Sequence, residues 1–315
     1  MEAPEIHPQA RAVLDRQERL RLYPLRKHGV RRLRLLMRVT DWFQNRNPPA
    51  VGATEDRTVP GPAGSLPVRI YRPDGTGPFP TVVFFHGGGF VFGGLESHDL
   101  LCRHLVRESG CVVVAVDYRL APEHPFPAAV EDAYAATEWA AAHPGALDST
   151  GQLAVVGDSA GGALAAVVSL MAAERDGPAV DYQVLVYPGV GLDEDHPSAQ
   201  AHTGIVLHEE DLEWFRECYY GSDVHLRNPY ADPINAGDLG GVAPATVVTA
   251  GFDPLRDGGK AYAERLVADG VAVRYENYED MIHGFATNLG ADGIDRAHEA
   301  VAHIADDLRD AFDSP

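Results

Sequence analysis

The feature that most constrains this sequence is a glycine-rich turn that separates a strand pattern from a helix pattern. The apolar run 153–156 predicts a buried strand, and the apolar-periodic segment 160–173 predicts a helix. Between them lies Gly-Asp-Ser-Ala-Gly-Gly, with Ser159 as its third residue. A turn this tight strains its central residue and lifts that side chain above the sheet, because the glycines allow close backbone approach. We predict a hydroxyl at a helix N-terminus, where backbone N–H groups favour a developing negative charge.

The same glycines are compatible with an ordinary strand–helix turn or with a phosphate-binding loop. No Gly-Lys-Ser or Gly-Lys-Thr follows any glycine run, and no Gly-x-Gly-x-x-Gly surrounds Gly87 or Gly157. The phosphate-binding interpretation is therefore the weaker one.

Composition and charge narrow the class of protein. With 315 residues, 45% of them hydrophobic and 23% charged, the chain can bury a sizeable core. The formal net charge of -20 argues against a nucleic-acid partner.

Residues 1–48 depart from this acidic balance, with 11 Lys and Arg against 5 Asp and Glu. Within them, 30–39 predicts an arginine-rich, partly amphipathic helix. We interpret it as a surface helix facing water and the acidic body, rather than one that lies on an acidic membrane surface.

Membrane spans, disulfides and zinc sites have no signature in this sequence. No apolar run reaches the length of a membrane-spanning helix, so we expect no membrane insertion. The acidic N-terminus lacks the apolar region of a secretory signal. The three cysteines are odd in number and form no Cys-x-x-Cys pair, which argues against a disulfide framework and a zinc site. We expect a cytoplasmic protein.

Strand and helix patterns alternate from residue 66 onward, which predicts an α/β fold with a mostly parallel sheet flanked by helices. The predicted strands are 68–71, 81–85, 112–117, 153–156, 183–187, 245–250 and 271–276. The predicted helices are 97–108, 128–142, 160–173, 257–268 and 292–312. Residues 47–65, rich in Pro, Gly and Thr, predict a linker or irregular loop. Ligands of such sheets bind beyond the carboxyl ends of the strands.

Two segments fall outside this alternation and predict a helical cap over the sheet. Residues 1–48 predict an N-terminal helical cap segment, and 190–243, with one clear helix over 209–220, predict a second cap or lid segment. The core is then divided into 49–189 and 244–315. An insertion that follows a strand's carboxyl end lies over the ligand site.

Candidate catalytic residues follow four of the predicted strands. Ser159 is one, and His86-Gly87-Gly88-Gly89, directly after the strand 81–85, is another. Three glycines there allow backbone N–H groups to point one way, as an oxyanion hole requires. Asp253 and His283 follow the last two strands. Alone, Asp253 could cap a helix and His283 could be structural. Their order along the chain, Ser then Asp then His, is that of an α/β-hydrolase.

These motifs together resemble the hormone-sensitive lipase-like branch of the α/β-hydrolases, also called bacterial esterase family IV. The resemblance covers about residues 65–312. It is carried by His86-Gly87-Gly88-Gly89, by Gly157-Asp158-Ser159-Ala160-Gly161-Gly162, by Asp253-Pro254-Leu255-Arg256-Asp257, by His283-Gly284-Phe285 and by Tyr118-Arg119-Leu120-Ala121-Pro122-Glu123. It implies an α/β-hydrolase fold with a helical cap.

The resemblance also implies a serine carboxylesterase. Ser159 is the nucleophile, His283 takes its proton, and Asp253 orients the imidazole. The N–H groups of Gly88, Gly89 and Ala160 form the oxyanion hole. The implied substrates are short- to medium-chain acyl or aryl monoesters, hydrolysed through an acyl-enzyme intermediate with no metal or cofactor. Pairing of two copies through an edge strand would give a homodimer.

Large apolar residues near the predicted site are expected to bind the small ester substrate. They are Phe90, Trp42, Phe43, Trp214 and Phe215. On each helix one member of an adjacent pair can face the site, because neighbours differ by about 100°. Two alternatives stay open: an amidase or deacetylase with the same triad, and a ligand-binding relative without catalysis.

Overall fold

Eight strands form one sheet in the part of the chain that the structure describes. The structure is a computed structural model and describes residues 2–20, 25–45, 47–192 and 195–313, without the side chains of residues 20 and 42–44. The strands are β1 Ala53–Gly61, β2 Gly64–Arg72, β3 Phe79–Phe85, β4 Val112–Val116, β5 Ser149–Asp158, β6 Tyr182–Val186, β7 Ala245–Phe252 and β8 Val273–Ile282. From edge to edge their order is β1-β2-β4-β3-β5-β6-β7-β8. The β1–β2 and β2–β4 pairs are antiparallel and all later pairs are parallel.

Helices connect the parallel strands and also form the segments outside the sheet. They are α1 Pro8–Leu20, α2 Val30–Gln44, α3 Asp99–Ser109, α4 Ala128–Ala142, α5 Pro144–Leu147, α6 Ala160–Glu174, α7 Pro197–His202, α8 Glu209–Tyr220, α9 Arg256–Ala268 and α10 Asp295–Asp313. Short 3-10 turns lie at Leu25–His28, Asp223–His225, Pro233–Asn235 and Phe285–Thr287.

The sheet has a hydrophobic core on each face, because side chains alternate along a strand. In β3, Val83 and Phe85 join a cluster with residues of α4, α6 and α9. Val82 and Phe84 face the other way and join a cluster with residues of α1, α3 and α10. A parallel sheet covered on both faces explains why its strands are nearly continuous apolar runs.

The predicted α/β alternation is confirmed, with one correction at the start of the sheet. The predicted helices 128–142 and 209–220 coincide with α4 and α8. Residues 47–65 were expected to be irregular, but β1 pairs with β2 along its whole length. Val59 is a deeply buried side chain in an otherwise polar strand. An edge strand with a solvated face, which tolerates Pro60, carries too few apolar residues to be recognised by pattern.

The two cap segments predicted from the sequence contact each other. The Asp211 carboxylate of α8 accepts hydrogen bonds from the backbone N–H groups of Leu25 (2.7 Å) and Arg26 (3.4 Å). Leu25 also joins a small apolar cluster with Leu33 of α2, to which Trp214 and Phe215 of α8 pack. The N-terminal segment is thereby attached to the insertion after β6.

Arg34 fastens α2 to the body of the protein. Its Nε donates to the carbonyl of Val91 (2.9 Å) and one terminal nitrogen donates to the carbonyl of Ala121 (2.7 Å). The same guanidinium pairs with Glu123 at 3.0 Å. Charge-assisted hydrogen bonds to backbone carbonyls hold the helix in one place because a guanidinium presents its donors in a fixed fork.

We expect Arg34→Ala to lower the free energy of unfolding by about 1–3 kcal/mol, because two carbonyls and a carboxylate lose their donor. Urea unfolding followed by circular dichroism measures this change. Arg38→Ala, an exposed change on the same helix, is the control and should alter stability by less than about 0.5 kcal/mol. Equal losses in the two variants would contradict the anchoring role of Arg34.

Candidate active site

The turn after β5 holds Ser159 in a strained conformation, with φ 53° and ψ -117°. A left-handed φ costs a non-glycine residue about 1–3 kcal/mol, so the surrounding structure must enforce it. The enforcement is close packing: a Cβ on Gly161 would collide with the carbonyl oxygen of Phe85, and one on Gly157 with that of Gly161. The predicted tight turn therefore forms, with its glycines required by backbone approach.

His283 lies within hydrogen-bond distance of both Ser159 and Asp253. Ser159 Oγ is 3.0 Å from His283 Nε2, and His283 Nδ1 is 2.7 Å from Asp253 Oδ2. Asp253 is fully buried and His283 is 8% exposed. The ring of Tyr187 contacts the imidazole edge-on, with centroids 4.9 Å apart. This arrangement allows the imidazole to accept a proton from the hydroxyl while a carboxylate fixes its orientation.

Asp253 also caps the turn that follows β7. Its Oδ1 accepts the backbone N–H of Leu255 at 2.8 Å, while Oδ2 faces His283. Asp253 is not the helix cap that the sequence allowed, because the N-cap position of α9 is Leu255 and has no side-chain cap; the carboxylate closes the preceding turn and contacts His283. Because the Leu255 N–H orients one oxygen, the other is directed at the imidazole.

The glycine loop after β3 turns its backbone toward Ser159. Gly88 and Gly89 have φ values of 121° and 61°, and Phe90 continues the left-handed run with φ 61°. Within the described residues, the N–H groups of Gly88, Gly89 and Ala160 donate to no backbone carbonyl. A Cβ on Gly89 would lie 2.7 Å from the Phe215 ring. The loop therefore needs glycine both for its dihedral angles and for space.

A buried pair, Asp158 and His98, holds the glycine loop in register with the turn. Asp158 Oδ1 accepts the backbone N–H of Gly87 (2.8 Å) and lies 3.0 Å from His98 Nε2. Ser97 Oγ bonds the other ring nitrogen of His98 at 2.8 Å. The Asp158 carboxylate thus faces the glycine loop and ties down Gly87. His98 was not singled out, since nothing in its local pattern separates it from the other histidines.

His86 supports the loop from below. Its ring stacks on Tyr118 with centroids 4.2 Å apart, and its Nδ1 lies 2.8 Å from the carbonyl of Gly87. Burial, together with the nearby charge of His98, lowers the pKa of His86 to about 3. Burial acts to raise the pKa of Asp158, but His98, His86 and the Gly87 N–H outweigh it and lower that pKa.

A cavity of about 780 Å³ opens above Ser159. Its floor includes Gly89, Ser159 and Ala160, the meeting point of the two glycine turns. The walls come from the loop after β6, from α7, from α8 and from the turn after β7. The volume is in the range of small-molecule sites. Residues from the segment 190–243 therefore form much of the wall of this cavity.

The residues expected to bind substrate divide by position. Phe90 and Phe215 line the cavity, whereas Trp214 is not among the lining residues. Trp214 instead packs toward Phe92, with ring centroids 5.9 Å apart. This follows from the 100° step between neighbours on a helix. Trp42 and Phe43 belong to α2, and their side chains lie outside the described residues.

Tyr219 is a wall residue that pattern reading missed. It lies four residues after Phe215 on α8, stacks on Phe90 with centroids 3.7 Å apart, and lines the cavity. Helical spacing from Phe215 was a usable signal, because residues four apart share a face.

Comparison with known proteins identifies the family. A family model described as the alpha/beta hydrolase fold matches residues 82–287. The carboxylic ester hydrolase LipN of Mycobacterium tuberculosis is 46% identical over 240 residues, which are 73% of this chain and 63% of LipN. The chain belongs to the hormone-sensitive lipase-like branch of the α/β-hydrolases. This hydrolase therefore spans less than two thirds of the length of LipN.

Two further relatives resemble the hydrolase over more of their length. Esterase LipI of Mycobacterium tuberculosis is 43% identical over 243 residues, which are 75% of each chain. A solved structure of a hyperthermophilic esterase from the archaeon Pyrobaculum calidifontis is 40% identical, with a TM-score of 0.90, and covers 98% of the hydrolase and 99% of that chain. The predicted α/β-hydrolase fold with its helical cap is therefore confirmed.

Residues 2–20, 25–45, 47–192 and 195–313 of the hydrolase contain neither a membrane-spanning helix nor a metal-binding cluster. No helix there is both long and apolar enough to cross a membrane. Nor does any group of three or more His, Cys, Asp or Glu side chains there form a metal-binding cluster.

We expect acid to destabilise the hydrolase partly through His86. In the unfolded chain His86 gains a proton below its ordinary pKa of 6.5. In the folded chain the pKa of His86 is about 3, so the imidazole stays neutral until that pH is approached. Stability should therefore fall by up to about 1.4 kcal/mol per pH unit between about pH 6 and about pH 4. His86→Phe keeps an aromatic ring on Tyr118 and should flatten that slope in urea unfolding. His124→Phe, at an exposed position, should leave it unchanged; equal slopes in all three proteins would refute the assignment.

Proposed function

We propose that this protein is a serine carboxylesterase that hydrolyses short- to medium-chain acyl or aryl monoesters through Ser159, His283 and Asp253. As a member of its family the chain is a carboxylic ester hydrolase. The observation that carries the proposed mechanism is the series of contacts at the cavity floor, Ser159 Oγ to His283 Nε2 at 3.0 Å and His283 Nδ1 to Asp253 Oδ2 at 2.7 Å.

Acylation begins when Ser159 Oγ attacks the ester carbonyl carbon and passes its proton to His283 Nε2. Asp253 Oδ2 accepts the Nδ1–H, which leaves Nε2 as the acceptor and stabilises the imidazolium that forms. When the tetrahedral intermediate collapses, the C–O bond to the alcohol breaks and His283 protonates the leaving oxygen. Water then attacks the acyl-enzyme by the same route, giving the acid and regenerating the hydroxyl.

The negative oxygen of the intermediate needs donors that are already in place. In the proposed mechanism these are the backbone N–H groups of Gly88, Gly89 and Ala160, and removing one such donor typically costs about 10²–10³ in turnover. Their position is supported by the bonds that Asp158 makes to Gly87 and to His98. Because those supports are buried, the donors need no rearrangement during the reaction.

The cavity supports neutral, apolar acyl groups as substrates. Phe90, Phe215 and Tyr219 supply apolar wall. The charged lining residues are four carboxylates and one arginine: Asp195, Glu209, Glu210, Glu213 and Arg216. Aromatic walls favour acyl or aryl groups. Because the carboxylates outnumber the arginine, the wall disfavours an acyl chain that ends in a negative charge.

The direct test compares p-nitrophenyl esters of increasing chain length for the wild type and Ser159→Ala. We expect activity that peaks at short or medium chains and falls by at least about 10⁴-fold in the variant. The wild type should also be labelled on Ser159 by a phosphonate ester probe. A variant with full activity would exclude Ser159 as the nucleophile, and an unlabelled, inactive wild type would indicate a ligand-binding protein. Faster turnover of matched anilides than of esters would indicate an amidase.

A second experiment tests the charge of the cavity wall. We expect Glu213→Gln to lower KM for an ester with a terminal carboxylate by about two- to fivefold and to leave the neutral ester of equal length unchanged, because a nearby negative charge is removed. Glu217→Gln alters a carboxylate on the same helix that does not line the cavity, and should change neither value. Equal effects from both variants would show that only overall charge matters.

A further inference from the structure

One face of α2 exposes aliphatic and basic side chains together. Leu35, Leu36 and Val39 are 65%, 40% and 47% exposed. Leu35 and Val39 are four residues apart and therefore adjacent on the helix surface. Exposed arginines flank them at positions 31, 32 and 38. We call these six residues the α2 outer face: Arg31, Arg32, Leu35, Leu36, Arg38 and Val39.

This concentration of exposed apolar side chains is unusual in the molecule. Across the described residues, six large hydrophobic side chains are exposed, and three of them belong to one five-residue stretch of α2, residues 35–39. The other three, Val224, Val267 and Tyr275, are scattered over separate elements. Single exposed aliphatics are ordinary, but a group of them rimmed by polar residues marks an interaction surface.

The inner face of α2 explains why the outer face cannot fold away. Leu33 is 2% exposed and packs with Val91 and Phe92, while Arg34 is bonded to two backbone carbonyls and to Glu123. The helix is fixed by these contacts, so the outer face is presented to solvent in one orientation. A partner that binds it meets an ordered helix and does not have to bear the entropy of ordering one.

We propose that the α2 outer face docks the protein on an anionic lipid surface. This replaces the interpretation of 30–39 as a water-facing helix, because the structure leaves three aliphatic side chains of α2 exposed. Aliphatic side chains flanked by arginines match a bilayer interface, where the chains enter the acyl boundary and guanidinium groups bind phosphates. The rest of the molecule is strongly acidic, since residues 1–48 carry an excess of six basic residues in a chain of net charge -20. Screening over about 8–10 Å limits the repulsion from that acidic body, so the local basic face governs contact.

The inner side of α2, opposite the outer face, is connected to the cavity wall through aromatic contacts. Phe92, which packs beneath α2, contacts the ring of Phe215 with centroids 5.9 Å apart, and Phe215 lines the cavity. The proposal goes beyond the proposed function and does not require it, since binding to vesicles can be measured without any ester. It describes docking from one side and involves no membrane-spanning segment.

The test is sedimentation of the full chain with vesicles of phosphatidylcholine alone, and of phosphatidylcholine with phosphatidylglycerol in a two-to-one ratio. We expect binding to the anionic vesicles only, weakening as salt is raised. Arg31→Gln with Arg38→Gln should weaken it by about fivefold for each arginine removed. Leu35→Asp with Val39→Asp should abolish it. Val267→Asp, which changes an exposed aliphatic residue of α9, should bind as the wild type does.

Hydrolysis of a soluble p-nitrophenyl ester and the thermal midpoint serve as controls for folding, and both should be unchanged in every variant. Absence of wild-type binding to anionic vesicles would overturn the proposal, as would equal binding of the Leu35 and Val39 double variant. Sedimentation velocity adds a separate check: a wild-type dimer that the same double variant converts to a monomer would assign the face to a second copy of the chain instead.

Discussion

Close backbone contact between two turns is the constraint on which this structure depends. The turn around Ser159 passes so near the end of β3 that Gly161 cannot carry a side chain, and the turn is itself so tight that Gly157 cannot carry one either. That contact sets the strained φ of Ser159 and brings the glycine loop alongside it. Asp158 then joins the two turns through the Gly87 N–H. The position of the Ser159 hydroxyl and of the Gly88 and Gly89 backbone is consequently set by main-chain geometry, which the surrounding sheet and helices keep rigid.

The features predictable from the sequence were those with a strong local cause. Alternation of apolar strands and periodic helices gave the α/β class, and the glycine turns after two strands gave the place of Ser159 and of Gly88 and Gly89. Asp253 and His283 could be chosen only together, from their order and from their positions after strands. Their meeting with Ser159 arises from the parallel order of β5, β7 and β8, which brings distant segments to one edge of the sheet.

What the sequence did not reveal depends on tertiary contacts. β1 is polar because it lies at a sheet edge, so its alternation is weak and its pairing with β2 comes from the hairpin. His98 acquires its importance from Asp158, which is 60 positions away in the chain and adjacent only after folding. Leu36 carried the same apolar signal as Leu33, yet one is exposed and the other buried, because only contact with Val91 and Phe92 selects the inner face of α2.

The hydrogen bonds of Asp211 have a mechanical consequence. They join the turn before α2 to α8, and α8 forms a wall of the cavity, while Arg34 connects α2 to the carbonyl of Val91 just beyond the glycine loop. The two cap segments are therefore connected to each other and to the glycine loop, and they do not form independent units. An outward displacement of α8 would therefore act, through α2, on the chain that follows Gly88 and Gly89. In the proposed mechanism, the width of the cavity and the geometry at its floor would then depend on each other.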